Sequence, residues 1–267
     1  MVSAMFADYL DRWELTPVGE PVVTHSSRLL PVRRYGVAAM LKIALTEREK
    51  VGGVIMSWWG GDRAARVLAR DGAAILLEWA ENNISLADLA RNGRDDEASR
   101  IMCEVIAGLH APRPDPPGGL LPLDKCLEGF ESTAAGLGGI LVTAAAAAKD
   151  LLAAPQDVVV LHGDIHHDNI LHFGARGWLA IDSIPGLGER GFDYANIFCN
   201  PDSDLALAGG RLARQATVIA EAAGLERRRL LQWVLSYAGW SVTWLSHDPD
   251  EASLRLAVAE AAAAELN

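Results

Sequence analysis

The chain has 267 residues, half of them apolar, and a formal net charge of −11. This length allows a large core without stabilising disulfides or metals, in one domain or in two closely joined ones. The acidic excess disfavours nucleic-acid binding and favours a cationic ligand, although solubility explains the excess about as well.

Membrane insertion and disulfide bonding are also disfavoured. No apolar segment has the length needed to cross a bilayer, and residues 1–15 lack the basic and then apolar order of a signal peptide. The three cysteines, Cys103, Cys126 and Cys199, are too far apart to indicate a zinc site or a disulfide framework. We therefore expect a cytoplasmic protein with reduced thiols that binds neither membranes nor nucleic acid and is a monomer.

The first part of the chain contains short β-branched or apolar runs separated by turns. Residues 22–24, 29–32 and 37–44 are predicted strands of an antiparallel sheet. A helix is predicted over residues 47–57, and a further strand over residues 73–79. The first lobe is therefore expected to combine a small sheet with one helix.

From Ser85 onward the pattern becomes helical. Ser85 is predicted to cap a helix with Asp88 three residues later. Residues 111–122 hold five prolines and two glycines and must form a loop. Further helices are predicted over residues 96–110, 127–152, 205–223, 227–244 and 251–266. We place the division between the two lobes after residue 79, which gives lobes of residues 1–79 and 80–267.

The stretch most informative about chemistry follows a predicted strand at residues 158–161. That strand leads into a His-Gly-Asp sequence ending at Asp164, and Asn169 follows five residues later. A second apolar run leads to Asp182. A short turn at residues 174–177 would bring Asn169 and Asp182 to one end of a hairpin.

Phosphoryl transfer from a nucleoside triphosphate explains why these residue types should converge. The accompanying Mg²⁺ is a hard cation that prefers oxygen ligands, and Asn169 and Asp182 can supply an amide and a carboxylate oxygen. Asp164 can orient an incoming hydroxyl and accept its proton. The sequence therefore predicts a kinase that uses Mg²⁺ with ATP or GTP, with Asp164 as the catalytic residue.

The same motifs resemble those of a known family, the aminoglycoside phosphotransferases of the protein-kinase-like superfamily. The similarity is strongest over residues 162–201. Within it, residues 177–201, GWLAIDSIPGLGERGFDYANIFCNP, most resemble the streptomycin 6-phosphotransferase branch, which includes hydroxyurea resistance kinases. The resemblance implies an α+β, protein-kinase-like fold of two lobes, with a small antiparallel sheet and one helix in the first and mainly helices in the larger second.

The resemblance also implies roles for residues of the first lobe. Lys42 resembles the lysine that contacts the α- and β-phosphates, and without the downstream motif it would be read as a solvated strand residue. Glu49, favoured over Glu47, resembles the acid that holds this lysine in an ion pair. Residues 78–81 resemble the hinge that binds a purine through its backbone.

Further nucleotide contacts and structural roles follow from the same resemblance. The nucleotide contacts are Glu78 and Ala80 in the hinge, and Ser26 and Ser27 in a turn where protein kinases have a glycine-rich loop. Asp193 resembles a family aspartate that braces the catalytic loop, and His162 is interpreted separately as a hydrogen-bonding brace. Ser183 departs from the family pattern, which has proline there.

The acceptor site is assigned from charge and position. A guanidinium- or amine-bearing acceptor needs carboxylates, for which Glu189, Asp248 and Asp250 are the candidates, unless they are solvated surface residues. Trp240 and Trp244, four residues apart on a predicted helix, could flank this site, although tryptophans here are more often core residues. We retain Glu189, Trp240 and Asp248 as expected substrate contacts.

Alternative interpretations remain for the histidines and for the function. His162, His166, His167 and His172 could bind a metal, but their spacing does not indicate the required geometry. The favoured function is phosphorylation of streptomycin at position 6. The alternatives are a kinase of another small hydroxylated compound, such as hydroxyurea or a metabolite, and a non-catalytic nucleotide-binding protein.

Overall fold

An antiparallel sheet of six strands forms the first lobe, in a computed structural model that describes residues 2–80, 84–245 and 247–267. Its strands are β1 (Leu15–Pro17), β2 (Val22–Val23), β3 (Ser27–Arg34), β4 (Val37–Ala44), β5 (Val67–Asp71) and β6 (Ala74–Glu78). Their order is β1-β3-β4-β6-β5, and β2 lies beside β1 along the same edge of β3. All strands predicted for the first lobe are present, whereas β1 and β5 are not predicted from the sequence.

Two helices cover the two faces of this sheet. Helix α1 (Val2–Arg12), which the sequence pattern does not predict, contributes Phe6 to a core that includes Leu41 on β4. Helix α2 (Glu47–Trp59) contributes Ile55 to the main core. Because side chains alternate along a strand, Lys42 points away from the face of Leu41 and towards α2.

The second lobe consists mainly of helices. They are α3 (Leu86–Leu89), α4 (Asp95–Leu109), α5 (Leu123–Cys126), α6 (Phe130–Leu137), α7 (Ile140–Ala153), α8 (Phe192–Ala195), α9 (Ser203–Ala206), α10 (Arg211–Ala223), α11 (Arg227–Val242) and α12 (Pro249–Leu266). At the start of α3, the Ser85 hydroxyl accepts a hydrogen bond from the Asp88 N–H at 3.2 Å, as predicted.

Glycine pairs interrupt two of the predicted helices. The single helix predicted over residues 127–152 is wrong, because α6 and α7 are separated by Gly138 and Gly139 with φ of 79° and 60°. The helix predicted over residues 205–223 is also divided, and α10 begins after Gly210 with φ of 75°. Apolar periodicity continues through both breaks, but a left-handed glycine ends a helix.

Short strands carry the residues of the predicted catalytic stretch. Strand β7 (Leu121–Pro122), strand β8 (Val158–Leu161) and strand β11 (Gly186–Glu189) form one small sheet. Strands β9 (Ile170–His172) and β10 (Trp178–Ala180) form the predicted hairpin. The N–H of Ala65, in the first lobe, donates to the carbonyl of Ala180, so this hairpin is attached to both lobes.

The larger core lies in the second lobe around α11, whose Trp233 and Tyr237 are almost fully buried. Across the described ranges no helix combines the length and the apolar character needed to cross a membrane. The division at residue 79 falls directly after β6 and stays a prediction.

Candidate active site

A cavity of about 210 Å³ lies between the two lobes. The first lobe supplies Leu29, Met40 and Lys42 to its wall, and the second supplies Leu171, Phe173, Ile181 and Asp182. The remaining wall residues are Leu77, Glu78, Trp79 and Ala80, which lie at the end of β6 and just after it. An apolar cleft whose polar end carries an ion-paired lysine and aspartate suits a nucleotide base joined to phosphates.

Lys42 lies at the polar end of this cavity between two carboxylates. Its Nζ is 2.6 Å from Oε2 of Glu49 on α2, and it also forms an ion pair with Asp182 from the second lobe. Burial by itself would lower the pKa of Lys42, but the charges of Asp182 and Glu49 raise the pKa above its ordinary value. Lys42 is therefore a fixed positive charge facing the cleft.

Helix α2 is positioned to present Glu49. The Thr46 hydroxyl caps the helix by accepting a hydrogen bond from the Glu49 N–H, and Gly60 ends it in a left-handed conformation. Gly52 lies against the backbone after Asp182, and a Cβ there would meet the Ser183 carbonyl oxygen at 2.2 Å. The glycine allows α2 to approach the backbone that follows Asp182 closely.

Ser26 and Ser27 lie at the turn between β2 and β3. The Ser26 hydroxyl donates to Oε1 of Glu49 at 2.8 Å. Ser27 is buried, and its hydroxyl lies 3.0 Å from that of Thr24. Both hydroxyls thus serve the turn and α2, which leaves backbone groups of the turn as the candidate phosphate donors; that role stays a prediction.

The predicted hinge is partly described. The Glu78 carboxylate accepts a hydrogen bond from the Arg66 N–H at 2.6 Å and forms an ion pair with Arg176 in the β9–β10 turn. Its side chain therefore joins the lobes rather than reaching a ligand. Ala80 lines the cavity. Glu81, the last residue of the predicted hinge, lies outside the described residues.

Asp164 and Asn169 are in direct contact. The side-chain nitrogen of Asn169 donates to the Asp164 carbonyl oxygen at 2.8 Å and to its carboxylate Oδ2 at 3.1 Å. About a third of the Asp164 side chain is exposed, so its carboxylate is accessible to solvent. Within the described parts of the chain no group donates to Oδ1 of Asn169, which is thus available as a ligand.

Asp182 comes to the same end of the hairpin, as predicted. The Ile181 N–H donates to the Asn169 carbonyl oxygen at 2.9 Å, so the two chain segments are paired next to both side chains. Asp182 adopts a φ of 59°, a conformation that aspartate tolerates better than most residues. Its side chain is 39% exposed. A free amide oxygen and an accessible carboxylate fit the oxygen ligands that Mg²⁺ prefers.

The His-Gly-Asp segment is held by Asp193 on α8. One oxygen of the Asp193 carboxylate accepts hydrogen bonds at 2.8 Å from the His162 N–H and from Nε2 of His110, and the other accepts from the Gly163 N–H at 2.8 Å. Burial would raise the pKa of Asp193, but the contact with His110 and the hydrogen bond from the Gly163 N–H lower it overall. These are the contacts that a bracing role requires.

His162 is fully buried beneath the site. Its Nε2 lies 2.8 Å from the Ile181 carbonyl oxygen, and its ring stacks on Trp59 with centroids 6.0 Å apart. Burial lowers the pKa of His162, so it is a neutral hydrogen-bonding group. The Ser183 hydroxyl, at the position of the family's proline, donates to the His162 carbonyl oxygen at 3.0 Å.

The prediction that Glu189 contacts the substrate is not supported. Its side chain is buried, and its carboxylate accepts hydrogen bonds from Arg229, Trp233 and the backbone N–H of Gln156. Because β11 is antiparallel to β8, Glu189 lies opposite Val158, at the far end of the strand that leads to the catalytic loop. It joins β11 to α11 instead.

Of the other predicted acceptor residues, Trp240 lies close to the catalytic stretch and Asp248 lies at the start of α12. Trp240 borders a small cavity together with Gly163 and Ile184, and its ring lies 5.9 Å from that of Trp244. The Asp248 carboxylate caps α12 by accepting a hydrogen bond from the Glu251 N–H at 3.1 Å. Their role in binding an acceptor stays a prediction.

Sequence reasoning did not assign a role to Asn196 or to Arg255. The side-chain nitrogen of Asn196 lies 3.1 Å from Oδ1 of Asp164, and Arg255 on α12 donates to Oδ1 of Asn196 at 2.7 Å. Asn196 lies within the stretch that resembles the family, and this is the only sequence signal that could have indicated it. Nothing in the sequence pattern singles out Arg255.

The two-lobed fold, with an inter-lobe cleft that holds a paired lysine and a carboxylate–amide cluster, defines a protein-kinase-like phosphotransferase. Two solved structures are similar to the chain throughout. A choline/ethanolamine kinase family protein from Mesorhizobium loti has a TM-score of 0.67 at 15% identity, covering 99% of this chain and 94% of that one. A thermostable mutant of the aminoglycoside phosphotransferase APH(4)-Ia, in a ternary complex with AMP-PNP and hygromycin B, has a TM-score of 0.67 at 14% identity, and the match covers 97% of each chain. The predicted fold class is confirmed.

Sequence relatives identify the family. A family model described as aminoglycoside/hydroxyurea antibiotic resistance kinase matches residues 12–249. The chain is 47% identical over 244 residues to a streptomycin 3″-kinase of Klebsiella pneumoniae, covering 90% of this chain and 91% of that protein. It is 30% identical over 290 residues to a streptomycin 6-kinase of Streptomyces griseus, covering 98% and 89%. A hydroxyurea phosphotransferase of Kitasatospora aureofaciens is 30% identical over 271 residues, covering 95% and 76%.

The chain belongs to the aminoglycoside/hydroxyurea antibiotic resistance kinase family. The predicted family and enzyme class are thereby confirmed, and as a kinase the protein uses a nucleotide as phosphate donor.

Proposed function

We propose that this kinase transfers the γ-phosphoryl group of ATP to a hydroxyl group of streptomycin in a Mg²⁺-dependent reaction. The observation that carries the proposal is the contact between Asp164 and Asn169 beside Asp182, opposite the ion-paired Lys42. A base, two oxygen ligands and a fixed cation around one cleft are the groups that phosphoryl transfer requires.

Each group has a chemical task in this proposal. Lys42 binds the α- and β-phosphates after exchanging its pairing with Asp182 for the nucleotide. Oδ1 of Asn169 and the Asp182 carboxylate hold Mg²⁺, which neutralises phosphate charge when it is bound. Asp164 accepts the proton of the acceptor hydroxyl as that oxygen bonds to phosphorus and the bond from phosphorus to the bridging oxygen of ADP breaks.

Streptomycin is proposed as the acceptor because of the relatives and because of charge. The relatives of 47% and 30% identity include streptomycin kinases. The net charge of −11 favours capture of a polycationic antibiotic. The reaction is assigned to the cytoplasm, where ATP is available, and to a monomer, because one chain supplies both walls of the cleft.

The acceptor hydroxyl is proposed to be the one at position 3″. The sequence motifs predict position 6, and relatives at 30% identity are 6-kinases. The relative with 47% identity is a 3″-kinase, and higher identity over nine-tenths of the chain weighs more. Both positions are therefore explicit outcomes of the experiment.

The test is to incubate purified protein with streptomycin, Mg²⁺ and either ATP or GTP, and to locate the phosphate on the product by ³¹P and proton NMR. A product phosphorylated at 3″ supports the proposal, and one phosphorylated at 6 restores the prediction from the sequence motifs. Hydroxyurea is tested in parallel because one relative is a hydroxyurea phosphotransferase. Turnover of hydroxyurea but not of streptomycin would replace the proposed acceptor.

A further inference from the structure

A continuous series of hydrogen bonds connects the last helix to Asp164. Nη1 of Arg255 on α12 lies 2.7 Å from Oδ1 of Asn196. The side-chain nitrogen of the same Asn196 lies 3.1 Å from Oδ1 of Asp164. Arg255 therefore reaches the catalytic carboxylate through one intervening amide.

Arg255 is itself firmly held. It is 8% exposed, and its Nε and Nη2 lie 2.7 Å and 2.6 Å from Oε1 of Glu251, one turn earlier on α12. Its guanidinium carbon lies 5.9 Å from the centre of the Tyr237 ring. Because these contacts occupy the plane and the other nitrogens of the guanidinium group, Nη1 has a fixed direction towards Asn196.

This direction decides which end of the Asn196 amide faces Asp164. An asparagine amide has a donating and an accepting end, and a rotation of 180° would place its oxygen against the Asp164 carboxylate. Arg255 can only donate, and Asn200 also donates to Oδ1 of Asn196 at 3.1 Å. Both donors require the oxygen end, so the nitrogen end must face Asp164.

The result is a carboxylate held on both oxygens. Asn169 donates to Oδ2 of Asp164 and Asn196 donates to Oδ1, which together fix the plane of the carboxylate. Misplacement of a reacting group by about 1 Å can cost about a hundredfold in rate. A base with a fixed plane points one lone pair at the incoming hydroxyl.

We propose that Arg255 is a positioning residue for phosphoryl transfer, which acts by fixing the Asn196 amide so that it holds Asp164 in the orientation needed to accept the proton of the acceptor. This inference rests on the proposed role of Asp164 as the base. It gives the last helix of the chain a part in catalysis beyond its packing in the core.

The test is a double-mutant cycle of Arg255→Lys and Asn196→Ala, with kcat and both KM values measured for ATP and streptomycin. Each single variant is expected to lower kcat by about tenfold to a hundredfold while the KM for ATP stays within about twofold. Because both residues act on Asp164 in series, the double variant should lose little more than the worse single one. Additive losses, or losses confined to KM, would overturn the proposal.

A matched control separates positioning from a loss of stability. Arg211 is also buried and paired with an aspartate, Asp95, but it joins α10 to α4. Arg211→Lys is expected to lower the melting temperature without changing kcat. If Arg255→Lys does not fold, Asn196→Asp keeps a partner for Arg255 but replaces the donor that faces Asp164. Unchanged kcat in this variant would also overturn the proposal.

Asp164→Asn distinguishes failure of this inference from failure of the proposed function. If Asp164→Asn keeps normal turnover of streptomycin, the assignment of the base is wrong and the inference falls with it. If Asp164→Asn is inactive while Arg255→Lys and Asn196→Ala turn over normally, the proposed function stands and only the positioning role is refuted.

Discussion

The side-chain nitrogen of Asn169 lies 3.1 Å from Oδ2 of Asp164, so the proposed metal ligand is also a hydrogen-bond donor to the proposed base. An amide can perform both tasks at once, since its nitrogen donates while its oxygen binds a cation. A carboxylate at position 169 could bind Mg²⁺ but could not donate. The choice of asparagine over aspartate is thereby explained.

Asn169→Asp is accordingly expected to lower kcat by about a hundredfold or more at saturating Mg²⁺, because two carboxylates would then face each other. Steady-state kinetics over a Mg²⁺ titration measures this. Asp168→Asn, at the exposed neighbouring position, should stay within about twofold of the parent. Full activity of Asn169→Asp at high Mg²⁺ would show that the donor is dispensable.

Gly163 should tolerate no side chain. It has a φ of 84°, and a Cβ there would lie 1.9 Å from the Ile184 carbonyl oxygen. Gly163→Ala is expected to destabilise the protein by about 3 kcal/mol or more, from backbone strain and from displacement of the chain after Asp182. Gly36→Ala is the control, because Gly36 has a φ of 82° but lies in open space. This substitution should lower the free energy of unfolding by only about 1 kcal/mol. Thermal unfolding compares them, and equal losses would contradict the steric argument.

Asp193 should contribute a pH-dependent part of the stability. Its folded pKa is below the unfolded value of about 3.9, so its contribution is present above about pH 4 and is lost as the pH falls through the folded pKa. Asp193→Asn should cost about 3 kcal/mol at pH 7, because the amide cannot accept all the donors from His162, Gly163 and His110. Denaturant unfolding from pH 3 to 7 tests this. The difference in the free energy of unfolding between variant and parent should shrink towards pH 3. A difference that stays constant with pH would argue against this role of Asp193.

Lys42 should be required for use of the nucleotide. Lys42→Met removes the cation that Glu49 and Asp182 hold in the cleft, and kcat/KM for ATP is expected to fall by about a hundredfold or more. The matched control is Lys50→Met, because Lys50 is a lysine of α2 whose ion pair with Glu47 is exposed. ATP-dependent turnover measures both variants. Equal, small losses of turnover in the two variants would show that Lys42 does not act in nucleotide use.

The sequence alone was sufficient to predict the groups that lie close together along the chain or that follow a simple period. Asp164 and Asn169 are five residues apart, and the hairpin that brings Asp182 beside them is readable from two apolar runs and a turn. Lys42 was recognisable through its resemblance to the family's phosphate-contacting lysine, which the downstream motif supported over a solvated strand residue. Helix breaks at glycine pairs were missed, because apolar periodicity does not record a left-handed backbone.

Tertiary structure decided which distant side chains complete the site. Asn196 is separated from Asp164 by 32 residues and Arg255 from Asn196 by 59, and only the packing of α12 brings them together. Glu189 is an acidic residue near the motif in sequence, yet the antiparallel pairing of β8 and β11 carries it to the opposite end of the strand and into an ion pair with Arg229. Charge can be read from a sequence, but the direction in which a buried charge points depends on the partners that the fold supplies.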